Sequence, residues 1–461
     1  MSSQFLWLNM ETKKKHLLIF LLFAVILLLG SYMRQESIFR TRVNHPLRAD
    51  AKQYFSYAYN LRYNHTFSKD FTSISHPGAS VKPDALRTPG YPLFISLFVD
   101  RKPSAKNVLD IMFAQMILSS ITLVIAFYVF QSFLSKFWAL AAALLTAISP
   151  HLITANSYIL TETLFCFILV LTTAIAKLFV ERPSIFRAVG IGICLGGGFL
   201  VRPSLAYFPI VLLVFFWIHC GRKRGVSYFA GMLVGFMLVA SPWYIRNLVT
   251  LHTLSDQRLK ISFLHHGLYP DFTYNGNKAS YGFPYRFDPR SDEIAQNTAT
   301  ALMEILHRFQ NRPGEHILWF VLKKPIALWS WNLVQGQGDA FVYPVSTTPY
   351  KDDGLFRLTH RLARALHWPI VGLAFMGLWI SWFTGRPYVD STPKIWLARF
   401  VSALLIYFTL LHMVGAPFPR YAVPLRPLLY AMAMFTISYC IEITRNRMRP
   451  APENSTTPDQ F

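Results

Sequence analysis

The sequence predicts an all-α protein that crosses a membrane about ten times. Three observations carry this. Hydrophobic residues make up 53% of the 461, and they are gathered into separate runs, several approaching the ~20 apolar residues that span a bilayer. Lys and Arg sit beside every second gap between those runs, as they do in loops that face the cytoplasm. Two long segments, 34–107 and 247–365, then fall together on the opposite side.

The predicted spans are 17–33, 108–132, 137–151, 158–179, 188–201, 203–220, 226–246, 366–384, 395–415 and 424–441. The first follows Lys13, Lys14 and Lys15, the basic start of a signal peptide. No small-residue cleavage site follows, and the run is long enough to remain as an uncleaved span. The fifth and sixth are short and closely joined, so one tilts or is partly re-entrant. The glycines of 190–198 lie inside a span and read as close helix packing. With the N-terminus inside, the inner gaps hold Lys136, 181–187, 221–224, 385–394 and the tail with Arg445, Arg447 and Arg449. The resulting division is a cytoplasmic N-terminus 1–16, a transmembrane core 17–246 with its first outer loop 34–107, a large outer (periplasmic) region 247–365, C-terminal spans 366–441 and a cytoplasmic tail 442–461. That tail is polar and proline-bearing from 450 on, the composition of disorder.

The outer segments contain helix patterns. Residues 50–61 repeat apolar positions at Tyr54, Ala58 and Leu61, with Lys52 and Arg62 flanking, which predicts an interfacial helix lying apolar face down. A second helix is predicted over 291–309, with Asp292 and Glu293 in its first turn. A third, over 313–331, has an apolar part too short to span. The stretch 267–289 is rich in Gly, Pro and Tyr and reads as irregular loop.

Composition excludes several classes. The net charge of +22 is accounted for by inner loops and by outer cations facing anionic lipid head groups, so it does not indicate nucleic acid. Cys166, Cys194, Cys220 and Cys440 lie in or at the ends of apolar runs and cannot staple the outer loops. There is no phosphate-binding Walker loop, dinucleotide fingerprint or nucleophile elbow. His45, His265 and His266 lack the spacing of a metal-ligand set, so no metal site is assigned.

Candidate chemistry collects at the outer ends of the spans. Asp50 is either a general base or the N-cap of the helix behind it, two roles that are compatible. Glu162 opens the fourth span, where a carboxylate is costly unless paired or wetted. It reads as a solvated helix end or as a second acid orienting the acceptor or a divalent cation. Arg202 occupies a very short outer hairpin against the charge bias of that side, which suggests an anion partner. Arg246 and Arg420 stand at other outer span ends, and Arg87 lies in the first outer loop. Together these four could form a cationic rim, and Arg supplies the bidentate donors a phosphate needs. Tyr54, Tyr91 and Tyr421 are possible substrate contacts.

In this order, Arg48-Ala49-Asp50-Ala51 with Tyr54, the stretch from Arg87 to Pro92, Thr161-Glu162, Leu200-Val201-Arg202-Pro203, Pro242-Trp243-Tyr244-Ile245-Arg246-Asn247 and Arg420-Tyr421 resemble the GT-C superfamily of polytopic glycosyltransferases. The pattern is most similar to lipid A aminoarabinose transferases and protein O-mannosyltransferases. The resemblance implies a polyprenyl-phosphate sugar donor, an inverting transfer and a site on the outer face of the inner membrane. It gives Asp50 and Glu162 the places of two acids, Arg87 that of a cation on donor phosphate, and Arg202 that of a Lys or Arg after the fifth span. Two departures concern the acceptor: the first-loop acid is a lone Asp rather than an Asp-Glu pair, and no outer domain follows the last span. The expected activity is sugar transfer from a polyprenyl-phosphate, undecaprenyl-phosphate in a bacterium, to a lipid, protein or glycan acceptor. The alternatives are a polymerase or ligase of pyrophosphate-linked glycans, and a flippase or transporter. A transporter predicts polar residues at mid-span, whereas the charges here concentrate at span ends.

Overall fold

The computed structural model describes residues 2–76, 78–383 and 393–447. The inner gap at 385–392 and the tail from 450 lie outside the described residues. Each predicted span contains an apolar helix. Among the described residues, seven helical segments are by themselves long and apolar enough to cross a membrane: Lys14–Arg40, Ala105–Phe130, Glu162–Glu181, Pro203–Cys220, Arg222–Leu251, Pro393–Val414 and Pro419–Arg445. Two bent pairs, Lys136–Ile148 with Pro150–Ser157 and Gly354–Ala365 with His367–Phe383, raise this to nine, each bent by 49°. Ile185–Val201 is apolar but shorter, as its place among the short spans implied. The chain is a multi-pass membrane protein.

Apolar side chains point outward as well as inward. On Arg222–Leu251, Val234, Leu238, Ile245 and Val249 form a stripe at helical spacing that is 59% to 73% exposed. A continuous face of this kind is untenable in water and ordinary against lipid. Inside, three pairings dominate: Ile185–Val201 on Arg222–Leu251, Ala105–Phe130 on Glu162–Glu181, and His367–Phe383 on Arg426–Arg447. Lipid tails give helices no hydrophobic reason to associate, so close backbone approach has to supply the attraction. The first pair shows how. A Cβ on Gly192 would overlap the Met232 carbonyl oxygen, and one on Gly235 would overlap that of Val189.

The two long segments close over one end of the bundle as a single cap. Arg42–Val43 pairs antiparallel with Val345–Thr347, and Asn44 N–H donates to the Pro344 carbonyl. Arg40, at the end of the first helix, pairs with Asp352 and Asp353. A small core of Met33, Ile153, Phe341, Val345, Tyr350 and Phe356 seals the joint.

Within the cap, two expectations are corrected. The helix predicted at 50–61 forms as Ala49–Tyr63, but its apolar side chains are covered by protein rather than laid open on one face. Ala51, Tyr54, Phe55, Tyr57, Ala58 and Tyr59 are all buried, and it packs on Gly90–Ser96. Residues 54–60 are buried without a break, so the middle of the helix is covered on every side, while Lys52 and Arg62 stay exposed. The helix predicted at 291–309 is broken. Ser291–Ile294 ends, and Thr298–Asn311 restarts behind Asn297, whose side chain accepts from the Thr300 N–H in a capping box. Helical structure continues through Pro313–Ile317, Leu318–Lys323 and Lys324–Leu328. There Lys324 turns inward and donates to the Met413 and Val414 carbonyls, the negative end of the span Pro393–Val414. Residues 267–289 are short turns, as expected.

The glycine contact yields a test of the packing. Gly192→Ala and Gly235→Ala each force two backbones apart, at a cost of about 1–3 kcal/mol or more. Thermal unfolding in detergent should show both as clearly destabilised. Gly197→Ala on the same helix, whose Cβ meets nothing within 4 Å, should unfold like the wild type.

Candidate active site

Five of the charged residues singled out in the sequence meet at the capped end of the bundle. The chain turns sharply to deliver the first. His45 and Ala49 have positive φ (54° and 43°), a conformation that costs a non-glycine residue of order 1–3 kcal/mol. The Arg48 carbonyl accepts from Tyr343 Oη, a contact from the other cap segment. Asp50 follows in the first turn of Ala49–Tyr63. It is not the N-cap: that position is Arg48, which makes no side-chain cap. The Asp50 carboxylate is turned away from its own helix.

It meets two arginines. Arg87 Nη2 donates to Asp50 Oδ1 at 2.6 Å, and Arg420 Nη1 donates to Asp50 Oδ2 at 3.1 Å. Arg420 also donates through Nε to Glu162 Oε1 at 2.5 Å. Arg202 reaches the same oxygen through Nη2 at 2.5 Å and gives Nε to Thr161 Oγ1 at 2.6 Å. One guanidinium, Arg420, thus lies between two carboxylates, and each carboxylate has a second arginine partner. Burial alone would push the Asp50 carboxyl up. Arg87 and Arg420 outweigh it and hold the group below the usual aspartate value. Asp50 is the open side of the network, with its side chain 31% exposed, while Glu162 is 3% exposed.

Local structure explains each placement. Glu162 is the first residue of Glu162–Glu181, where a helix N-terminus favours an anion. Arg202 ends Ile185–Val201 and is carried inward by the turn Pro203–Leu205. It does not snorkel. Arg87 is aligned by Gln53 Oε1, which accepts from its Nε at 2.9 Å, and lies over the Tyr54 ring at 5.1 Å. Gly90 lets the Arg87 segment close on the Arg202 helix, since a Cβ there would lie 2.7 Å from the Leu200 carbonyl carbon. Tyr421 places its ring under the Arg202 guanidinium at 5.7 Å.

Two expected site residues are not part of this network. Arg246 donates to the Asp84 and Phe67 carbonyls and to Asn247 Oδ1. Its guanidinium fastens the first outer loop to Arg222–Leu251. Tyr91 is fully buried, with its hydroxyl donating to Gln115 Oε1 at 2.8 Å, so it supports the site from behind. Gln115 in turn donates to the Asn156 and Tyr158 carbonyls, which braces the turn before Glu162. Gln115 and Gln53 were missed in the sequence; Gln115, an amide inside an apolar run, is itself a signal, whereas Gln53 in the first outer loop gives none.

A divalent cation does not suit the donor set. The two carboxylates are separated by a guanidinium, and the shared Oε1 of Glu162 already accepts two charged donors. Among the described residues there is no group of three His, Cys, Asp or Glu arranged to hold a metal ion. His265 is instead bonded to Tyr269 Oη, and His266 to the Ser262 carbonyl.

The network predicts a large effect at Arg420. Arg420→Met leaves Glu162 with one partner and Asp50 with one, and breaking a buried pair costs about 3–5 kcal/mol. Arg420→Lys keeps the charge but reaches only one carboxylate well. Thermal unfolding should rank wild type above Lys and Lys above Met. Equal stability of wild type and Met would mean that the ion pairs do not hold the cap.

Residues 86–245 match the model of the dolichyl-phosphate-mannose-protein mannosyltransferase family. No curated protein sequence matches the chain. Among solved structures, it is similar to the oligosaccharyltransferase AglB of Archaeoglobus fulgidus in complex with an inhibitory peptide and a dolichol-phosphate. The TM-score is 0.50 at 14% identity, over 94% of this chain and 52% of that one, so the chain spans about half the length of that enzyme. It also resembles ArnT of Cupriavidus metallidurans bound to undecaprenyl phosphate, with a TM-score of 0.39 at 13% identity, over 94% of this chain and 81% of that one. The helical bundle therefore shares its fold with the AglB oligosaccharyltransferase.

Proposed function

We propose that the protein transfers a sugar from a polyprenyl-phosphate carrier to a hydroxyl of a second substrate, on the outer face of the membrane. The carrying observation is the bridge that Arg420 makes between Asp50 and Glu162, flanked by Arg87 and Arg202. Three guanidiniums against two carboxylates leave one net positive charge at a partly open site, which complements the single negative charge of a sugar phosphodiester. The matched family is named for a dolichyl-phosphate-linked sugar. The AglB structure of the same fold holds a dolichol-phosphate. Both support a lipid-phosphate donor here, undecaprenyl phosphate if the host is bacterial.

In this reading the acceptor oxygen attacks the anomeric carbon as the bond from that carbon to the phosphate oxygen breaks. One in-line displacement inverts the centre. The acceptor proton passes to Asp50, and the polyprenyl phosphate leaves with the bonding electrons. Arg87, Arg202 and Arg420 meet the charge that grows on the leaving phosphate, and losing one such donor costs on the order of 3 kcal/mol in the transition state. The ion pairs have a second consequence. An Asp50 held ionised by two arginines is a weak base. A phosphate that draws Arg87 and Arg420 toward itself loosens those pairs and raises the basicity of Asp50 when both substrates are present. Glu162, deeper and doubly paired, stays ionised and keeps Arg202 and Arg420 in register. Tyr54 and Tyr421 face the arginines and border the substrate path.

Asp50→Asn preserves shape but cannot take up the proton. Turnover of an undecaprenyl-phosphate-linked sugar should fall by at least ~10²-fold at an unchanged level of folded protein. Near-normal turnover would remove Asp50 as the base, and use of a pyrophosphate-linked donor in place of the monophosphate would instead indicate a polymerase or ligase. The face is tested separately. In a chain stripped of its own cysteines, Asn64→Cys and Asn277→Cys should react with a membrane-impermeant thiol reagent in intact cells, and Lys223→Cys should not. The opposite pattern would put the site on the cytoplasmic face.

A further inference from the structure

We propose that the cap helix Gly354–Ala365 is a docking surface for anionic phospholipids, with its leucines among the acyl chains and its arginines on the head-group phosphates. The proposal does not depend on the sugar-transfer reading. The helix has 12 residues and starts behind Asp353, whose carboxylate accepts from the Leu355 and Phe356 N–H groups. Residues three or four apart share a face of a helix, and this helix has three distinct faces. The first meets protein: Phe356 and Thr359 are buried, Phe356 packs edge-on against Tyr350, and His360 Nε2 lies 2.9 Å from Asp339 Oδ2. The second is apolar and open: Leu355, Leu358, Leu362 and, at the C-cap, Leu366 are 37% to 55% exposed. The third is cationic: Arg357, Arg361 and Arg364 are all exposed.

The arginines have no anion of their own. Among the described residues none of the three makes a side-chain hydrogen bond or an ion pair. The acids near them in the fold are engaged, Asp352 and Asp353 by Arg40 and Asp339 by His360. A leucine stripe beside an arginine stripe is the composition of a helix that settles at the boundary between acyl chains and head groups. There the phosphates answer the guanidiniums, and the long arginine stems reach them over an apolar bed.

The anchorage of the helix puts it at that boundary. At its start, Asp353 is held by Arg40, the last residue of the candidate span Lys14–Arg40. At its other end the chain bends by 49° into the apolar helix His367–Phe383, whose first residue bonds to the cap through His367 Nε2 and the Trp329 carbonyl. The helix thus runs obliquely between the cap-side ends of two elements that enter the bilayer. Water alone would leave both open stripes unanswered, whereas an anionic lipid surface answers both.

The test uses full-length protein in detergent, titrated with a fluorescent phosphatidylglycerol and with the phosphatidylcholine of the same chains. The wild type should prefer phosphatidylglycerol. The triple variant Arg357→Gln, Arg361→Gln, Arg364→Gln should lose at least tenfold of that affinity, since each arginine near an anionic surface contributes roughly fivefold. Lys102→Gln, Lys260→Gln, Lys278→Gln, an equal loss of charge at other exposed cap residues, should keep it. An unchanged arginine variant, or an equal loss in both variants, would overturn the proposal. So would competition by soluble glycerol phosphate as strong as by the lipid, which would mark a site for free phosphate. Depth is read separately, in a chain stripped of its own cysteines and placed in phosphatidylglycerol nanodiscs. A spin label at Leu358→Cys should be reached by oxygen and shielded from a water-soluble nickel relaxant, and a label at Arg361→Cys should be the more open to nickel. Equal access of nickel to both would put the helix clear of the bilayer and contradict its docking there.

Discussion

The structure depends on one guanidinium placed between two carboxylates. Arg420 stands where the chain enters its last described span, Asp50 opens the first cap helix, and Glu162 opens a helix in the middle of the bundle. Near a membrane, none of the three is tolerable alone, because a buried charge without a partner is among the costliest states a protein can hold. Each becomes tolerable only when the other two are in place. The cap is therefore electrostatically tied to the bundle, and the tie is the same set of atoms proposed to meet substrate. Arg87 and Arg202 extend it to either side, and the glycine contact between the Arg87 segment and Leu200 sets how near those two arginines come.

This arrangement separates holding from acting. Glu162 is buried, doubly paired and anchored at a helix N-terminus, so it has little freedom. Asp50 is more exposed, and the strained turn before it is fixed by Tyr343 from the other cap segment. A rigid acid behind and an accessible acid in front allow a ligand to compete for the arginines without dissolving the network. The residues that support this are largely neutral. Gln53 aligns Arg87, and Tyr91 and Gln115 brace the turn before Glu162, through ordinary hydrogen bonds.

Much of the architecture was legible in the sequence because lipid imposes a simple code. A run of apolar residues long enough to span becomes a helix, and basic gaps set a consistent alternation. Glu162, Arg202 and Arg420 stood out for a related reason: a charge at a span end is expensive and needs a cause. Asp50 and Arg87 stood out in the first outer loop, at the head of a helix pattern and of the stretch from Arg87 to Pro92. Spacing along the chain does not say which oxygen meets which guanidinium. Arg246 and Arg87 look alike in sequence, yet one is spent on backbone carbonyls and the other faces a carboxylate. Tyr91 and Tyr54 differ in the same way. Other signals were present and passed over. Phe55, Tyr57 and Tyr59 put aromatic side chains outside the single apolar stripe of Tyr54, Ala58 and Leu61, which marks burial by protein. Asn297 followed by Thr300 marks a new helix start. Arg34 sits at the end of the first apolar run, where a flanking cation is ordinary, and only its buried contacts show otherwise.

The central claim is that the Asp50–Arg420–Glu162 bridge is the place where a lipid phosphate binds. The most direct measurement is an electron cryomicroscopy structure of the full-length protein with undecaprenyl phosphate. The account predicts phosphate density within hydrogen-bond reach of Arg420 and of Arg87 or Arg202, with the prenyl tail leaving toward the lipid and the Asp50 pairs lengthened. Phosphate density held elsewhere, with the bridge closed and unchanged, would contradict it.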